Sequence, residues 1–264
     1  MTRRGARPAL GTPRSLSYGR GMAEQPGLPT IDLNEYGGRK PDGERQSMNR
    51  RLFMQLLVAR VDKPTAAADR ARAELTERKV PAVIYADMMH PRGLGVLTWS
   101  EDPAHFVRDV RPLFEDGALA SAEIVPEFGM VGRAYSNGYE PDLEHVLLRR
   151  SVDNVLNVAY PWHIWYPLRR TGAFAKLDEK EQGSILREHA VIGHAYGQSG
   201  HAHDVRLACH GLDAEDNEFL IGLVGKELHP LSHLVQTMRK TRQTSEFIAK
   251  MGPFFVGHVA HRIA

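Results

Sequence analysis

Residues 204–242 read DVRLACHGLDAEDNEFLIGLVGKELHPLSHLVQTMRKTR, and this stretch decides the fold. Asp204–His210 and Glu218–Val224 are short, largely apolar runs on either side of the turn-forming segment GLDAEDN, which predicts two strands. From about Leu228 to Arg242, Leu231, Leu234, Val235 and Met238 recur at helical spacing, predicting a helix with that face inward. Working outward, Asp178–Tyr196 reads as a preceding helix and Pro253–Ala260 (PFFVGHVA) as a closing strand. Val152–Tyr160 (VDNVLNVAY) reads as the opening strand, with the segment WHIWYPLRRTGAF after it as a loop.

The first half repeats the order. Arg51–Arg60 (RLFMQLLVAR) is a run of strand length, and Pro64 opens a helix of good helix formers, TAAADRARAELTER. Pro81–Met88 and Gly95–Trp99 predict two strands joined by the turn residues His90, Pro91, Arg92 and Gly93. Ser100 is placed to cap a helix carrying Phe106, Val107, Val110, Leu113 and Phe114 on its inner face, and a last strand is expected between Ala120 and Val131. Pro81 and Asp204, Gly95 and Glu218, and Pro103 and Leu228 stand 123, 123 and 125 residues apart. So constant an offset implies a structural duplication. The expected class is α+β: two fused βαββαβ halves, approximately residues 49–140 and 150–264, each ferredoxin-like, forming one barrel-like body.

Composition narrows the function. Of 264 residues, 34 are Lys or Arg and 32 Asp or Glu, a net charge of +2 that offers no basic field for a nucleic-acid backbone. The single cysteine, Cys209, excludes an intrachain disulfide framework and a thiolate zinc cluster, and it fits a reducing, cytoplasmic compartment. We read Cys209 as packing. No apolar run approaches the roughly 20 residues of a membrane-spanning helix, which predicts a soluble chain. Residues 1–30 hold five arginines, four prolines and one acid without an apolar period. They read as disordered, within an extension expected to reach residue 48, and Met22 or Met48 is an alternative start.

Chemistry concentrates on the helix beginning at Asp178. Ile185, Leu186, His189, Ile192, Gly193 and Tyr196 share one face, placing His189 amid apolar residues. A histidine there needs a partner for its ring nitrogens, either a core acceptor or a metal. Gly193, one turn on, would let a flat group approach the helix. A lone neutral histidine facing an apolar cavity is how proteins hold haem iron.

Four segments together carry a family resemblance: EHAVIGHAY (Glu188–Tyr196), the dipeptide Tyr160–Pro161, MRKT (Met238–Thr241) and GPFFVGH (Gly252–His258). They resemble the chlorite dismutase superfamily, which includes the coproheme decarboxylases, from about Arg51 to the C-terminus and most closely over 155–260. The resemblance implies a haem-binding dimeric α+β barrel, commonly a homopentamer. It implies His189 as the proximal iron ligand and Tyr160 as the redox-active tyrosine beside a substrate propionate. The lysine that decarboxylases carry four residues after that tyrosine is replaced here by Ile164. Arg169 and Arg170 either hold propionate carboxylates or are solvated charges. On the distal side Arg206 is the candidate, two residues after Asp204 and on the same strand face. Chlorite dismutases support the proximal histidine with a glutamate; here that region reads Leu223–Val224.

The expectation is therefore a peroxide-dependent coproheme decarboxylase whose partners are iron coproporphyrin III and hydrogen peroxide. The alternatives are a haem b peroxidase or chlorite dismutase, and a non-enzymatic haem carrier. His201, His203 and His210 lie around the candidate distal strand, fit a surface position equally well, and are assigned no metal.

Overall fold

The computed structural model describes residues 28–264. Residues 28–33 carry no regular secondary structure, and the body of the protein is Asn34–Ala264. It opens with an antiparallel hairpin, β1 (Glu35–Arg39) and β2 (Arg45–Met48). The extension expected to run unstructured to residue 48 is therefore corrected over 34–48, whereas residues 1–27 lie outside the described residues. The hairpin escaped the pattern reading because polar contacts hold it. The Gln46 amide donates to the Glu140 carbonyl at 3.1 Å and accepts from the Leu143 N–H at 3.1 Å, and Glu35 meets Arg133 at 3.2 Å.

The first half contains β3 (Phe53–Arg60), α1 (Pro64–Glu77), β4 (Ala82–Asp87) and β5 (Gly93–Ser100), close to expectation. The next helix differs. It is a π-helical turn, Phe106–Val110, running into the short α2 (Pro112–Glu115). Ser100 does not cap it: its hydroxyl accepts from the Asp102 N–H at 3.0 Å in a local turn. The wider π turn also rotates Val107 outward, to 62% exposure. The strand expected between 120 and 131 is two pieces, β6 (Glu123–Ile124) and β7 (Met130–Ala134).

The largest correction concerns residues 152–170. Val152–Tyr160 is not a strand. A π turn, His145–Arg149, leads into α3 (Arg150–Leu156), and the two share a buried face of Leu147, Ser151 and Val155, four residues apart each time. The strand is the supposed loop, β8 (Trp162–Arg170), which is buried on both faces and so shows no alternation of polarity. The rest of the second half is α4 (Gly172–Ala175), α5 (Glu179–Gln198), β9 (His203–Ala208), β10 (Phe219–Gly225), α6 (Leu228–Met238), α7 (Arg242–Phe247), β11 (Ile248–Met251) and β12 (Phe255–Ile263). The helix expected to continue to Arg242 breaks after Met238 into α6 and α7.

The strands pair in the order β10-β9-β7-β3-β5-β4-β12-β8, and β8 pairs back onto β10, closing an antiparallel barrel. Within it β7-β3-β5-β4 and β12-β8-β10-β9 have the same order, fourth strand beside first, first beside third, third beside second. The duplication is thus a repeated ferredoxin-like topology, joined at β4–β12 and β7–β9. The barrel interior is packed by Met54, Leu56, Leu97, Trp165, Leu207 and Leu220. Gly222, paired with Trp165 across β10 and β8, leaves room for the indole: a Cβ there would lie 2.6 Å from its ring. One outer layer packs α1 against the first half through Ala71, Leu75, Ile84 and Val96. The other packs α5 and α6 against the second half through Ile164, Tyr166, Leu223, Leu231 and Leu234.

Candidate functional site

The site is built from α5 and the strand face beneath it. Asp178 caps α5, its carboxylate accepting the Glu181 N–H at 2.8 Å, which satisfies one of the free donors of the first turn. Over 20 residues the helix fully buries only Ile185. Ile192 and Tyr196 pack on the layer below, whereas Leu186, expected inward, is 41% exposed. His189 is half-buried, and its Nδ1 is buried without a hydrogen-bond partner. Burial, and then the Arg206 guanidinium, push its pKa down, so the imidazole is neutral at pH 7 and carries a lone pair available to a metal. At Gly193 a Cβ would meet only the Met238 Cε, at 3.6 Å, an ordinary contact distance.

The facing strand residues fall into two rows set by register. Tyr166, Ile221 and Arg206 are cross-strand neighbours on β8, β10 and β9; Ile164, Leu223 and Asp204 form the next row. Arg206 and Asp204 thus share the face toward α5, and the Arg206 Nε donates to Asp204 Oδ2 at 2.8 Å. Arg150 of α3 pairs with the other carboxylate oxygen, and the Asn154 amide donates to the Asp204 carbonyl at 2.9 Å. Burial alone would raise the Asp204 pKa, but Arg206 and Arg150 outweigh it and hold the carboxyl below its usual range. Asp204 in turn raises the Arg206 pKa against the burial of the guanidinium. The result is a fixed cluster of two cations on one anion whose field reaches His189, Tyr135 and Tyr166.

Tyr160 takes a different partner. It lies in the turn between α3 and β8, packs against the barrel interior, and shares a 2.8 Å hydrogen bond between its hydroxyl and His203 Nε2. The two rings stack at 4.7 Å. The Tyr160 carbonyl accepts from Arg262 at 2.8 Å and meets His163 Nε2 at 3.0 Å, which anchors the backbone. Burial lowers the pKa of His203, giving a neutral base against the phenol. His203, noted near the candidate distal strand but given no role, is the site component that sequence reasoning missed. Its partner is 43 residues away, and no spacing rule links them.

Arg169 and Arg170 are consecutive on β8 and so point to opposite faces. Arg169 donates to the Glu215 carbonyl at 3.1 Å. Arg170 bonds Glu218 at 3.0 Å and lies over the rings of Phe174 and Phe219 at 4.3 and 4.9 Å. The two therefore do not converge on one ligand, and only Arg170 shares the face of Tyr166. Cys209 is buried, its Sγ 3.1 Å from the Asn217 carbonyl, and burial pushes its thiol pKa up to about 12.

Among the described residues no helix is long and apolar enough to cross a membrane. The family model described as chlorite dismutase matches residues 145–260. No curated protein sequence matches the chain. Among solved structures, a haem-binding protein from Thermus thermophilus superposes with a TM-score of 0.63 at 17% identity, covering 88% of this chain and 94% of its own. Chlorite dismutase from Candidatus Nitrospira defluvii, in complex with imidazole, superposes with a TM-score of 0.62 at 11% identity, covering 81% of this chain and 93% of its own. Likeness at such identities establishes the fold alone.

Proposed function

We propose that the chain, which the chlorite dismutase family model matches over residues 145–260, binds an iron porphyrin beneath α5 and acts as a peroxide-dependent coproheme decarboxylase. The observation that carries the porphyrin reading is His189, a neutral imidazole with an unpartnered Nδ1, across from the Arg206–Asp204 pair. The residues fit the group. His189 would hold the iron, Gly193 leaves the adjacent turn free of a side chain, and the partly buried Ile192 and Ile221 supply apolar surface.

When bound, the porphyrin supplies the oxidising chemistry driven by peroxide. Arg206, fixed by Asp204, offers a guanidinium to stabilise negative charge on a bound oxidant. The Tyr160 hydroxyl can pass its proton to His203 Nε2 across their hydrogen bond as the ring gives up an electron, so no charged phenol forms in a part-buried site. This pairing favours decarboxylation through Tyr160. Arg206 favours the second reading, a haem b peroxidase, in which Tyr160 has no redox role. Chlorite decomposition is disfavoured because His189 Nδ1 lacks the carboxylate partner that makes an iron-bound imidazole more basic. On the family resemblance we further propose a cytoplasmic homopentamer, for which sedimentation of the full chain is the test.

The deciding experiment adds iron coproporphyrin III to the protein beside His189→Ala, follows the Soret band, then titrates hydrogen peroxide and reads porphyrin mass. Stepwise loss of two carboxylates as CO2, abolished in Tyr160→Phe, supports decarboxylation. Donor turnover with the porphyrin mass unchanged gives the peroxidase reading. A Soret shift that does not depend on His189, or none with either porphyrin, refutes both.

A further inference from the structure

On the outer side of α6, His229 and His233 stand four residues apart, one turn of helix, with both side chains exposed and ring centroids 6.0 Å apart. A chain of hydrogen-bonding contacts holds the second ring. The Thr237 hydroxyl donates to the His233 carbonyl at 2.9 Å, one turn back. Its proton thus committed, the Thr237 oxygen is left as an acceptor for the Tyr196 hydroxyl at 3.2 Å. The Tyr196 oxygen also lies 2.5 Å from His233 Nδ1, and the arrangement that keeps all three hydrogen bonds at once has Tyr196 donating to Thr237 and Nδ1–H donating to Tyr196. His233 Nε2 is then an unprotonated lone pair directed away from Tyr196.

We propose that His229 and His233 form a binding site for a divalent first-row transition ion at the seam between α5 and α6. Two imidazoles on one helical turn can both reach a single ion at about 2.0–2.1 Å. A ring that donates its other N–H to a fixed oxygen is oriented and made more basic as a ligand. Tyr196 and Thr237 perform that role here, one from α5 and one from α6. The donor set is nitrogen only, which selects copper, nickel or zinc and gives magnesium and calcium no purchase. No cluster of three or more His, Cys, Asp or Glu side chains able to hold a metal occurs among the described residues, so water completes the coordination. The site is separate from the one proposed for iron: it lies on α6, and its link to α5 is Tyr196, about two turns beyond His189.

The test uses the untagged full chain and Cu2+ as the probe, with Mg2+ as control. Calorimetry and the EPR nitrogen hyperfine pattern are expected to show one tightest ion per chain with two imidazole ligands. That class is lost in His229→Ala and in His233→Ala and kept in His189→Ala. Tyr196→Phe, which removes the acceptor for Nδ1–H, weakens it by about tenfold. In the metal-free protein the 15N shifts of His233 report the Nδ1–H form, a readout that does not depend on haem. Unchanged Cu2+ uptake in the two α6 variants, with circular dichroism confirming their fold, overturns the site. The Nε2–H tautomer in the metal-free protein overturns the argument for its orientation.

Discussion

Replacing Gly193 by alanine separates the folding role of α5 from its proposed ligand role, because the two move in opposite directions. Gly193 is in the interior of α5, and its Cβ would approach nothing nearer than Met238 Cε at 3.6 Å. No steric cost follows in the free protein. Glycine in a helix interior is less favourable than alanine by about 0.5–1 kcal/mol, so Gly193→Ala raises stability by that amount. For a chain of this size that corresponds to a rise in Tm of roughly 1–4 °C. A porphyrin ligated by His189 lies against the same face one turn away, and there the added methyl intrudes. Overpacking of a close contact costs about 1–3 kcal/mol, a loss of affinity of roughly 5- to 150-fold. Differential scanning fluorimetry of the free protein and a Soret titration with iron coproporphyrin III measure the two effects on one sample. A higher Tm with unchanged affinity would refute the placement of the porphyrin against Gly193. A lower Tm would refute the reading of Gly193 as sterically free.

Other outcomes are equally specific. His163 is buried beside Arg262, and burial first, then that cation, hold its pKa down to about 3, against about 6.5 in an unfolded chain. Between those values the unfolded state binds a proton that the folded state does not. Stability therefore falls as pH drops through that window, by up to about 1.4 kcal/mol per unit, and His163→Gln flattens the dependence of urea midpoints measured at pH 7, 6 and 5. Asp204→Asn removes the charge shared by Arg150 and Arg206 and costs about 1 kcal/mol, given that these ion pairs are part-exposed. The wild-type carboxylate, with its lowered pKa, contributes fully above about pH 4 and loses that contribution below it. Urea midpoints on either side of that pH should therefore differ less in the variant than in the wild type. The same substitution lowers the pKa of His189 further, readable by NMR, because Asp204 is a group that raises it. Cys209, buried with its thiol pKa near 12, should resist iodoacetamide in the native state and react only on unfolding; native labelling would show that the strand end opens.

The sequence by itself determined the repeated order of elements, because apolar spacing and turn residues are local properties. It placed α1, α5, β4, β9 and β10 within a few residues, and it singled out His189 and Gly193, since one helix face can be read from one helix. It misread 152–170, where α3 hides its face among polar residues and β8, buried on both sides, has no alternation to show. It also missed the β1–β2 hairpin, which rests on hydrogen bonds to the segment around Glu140 and Leu143 and buries little apolar surface. Only the tertiary structure decided that the sheet closes through β8 and β10, that Asp204 holds Arg206 and Arg150 together, and that Tyr160 meets His203. Apart from Asp204 and Arg206, two residues apart on β9, those contacts join residues tens of positions apart. Their partners are set by strand register and barrel closure, which depend on the whole chain folding at once and leave no periodic mark in either segment alone.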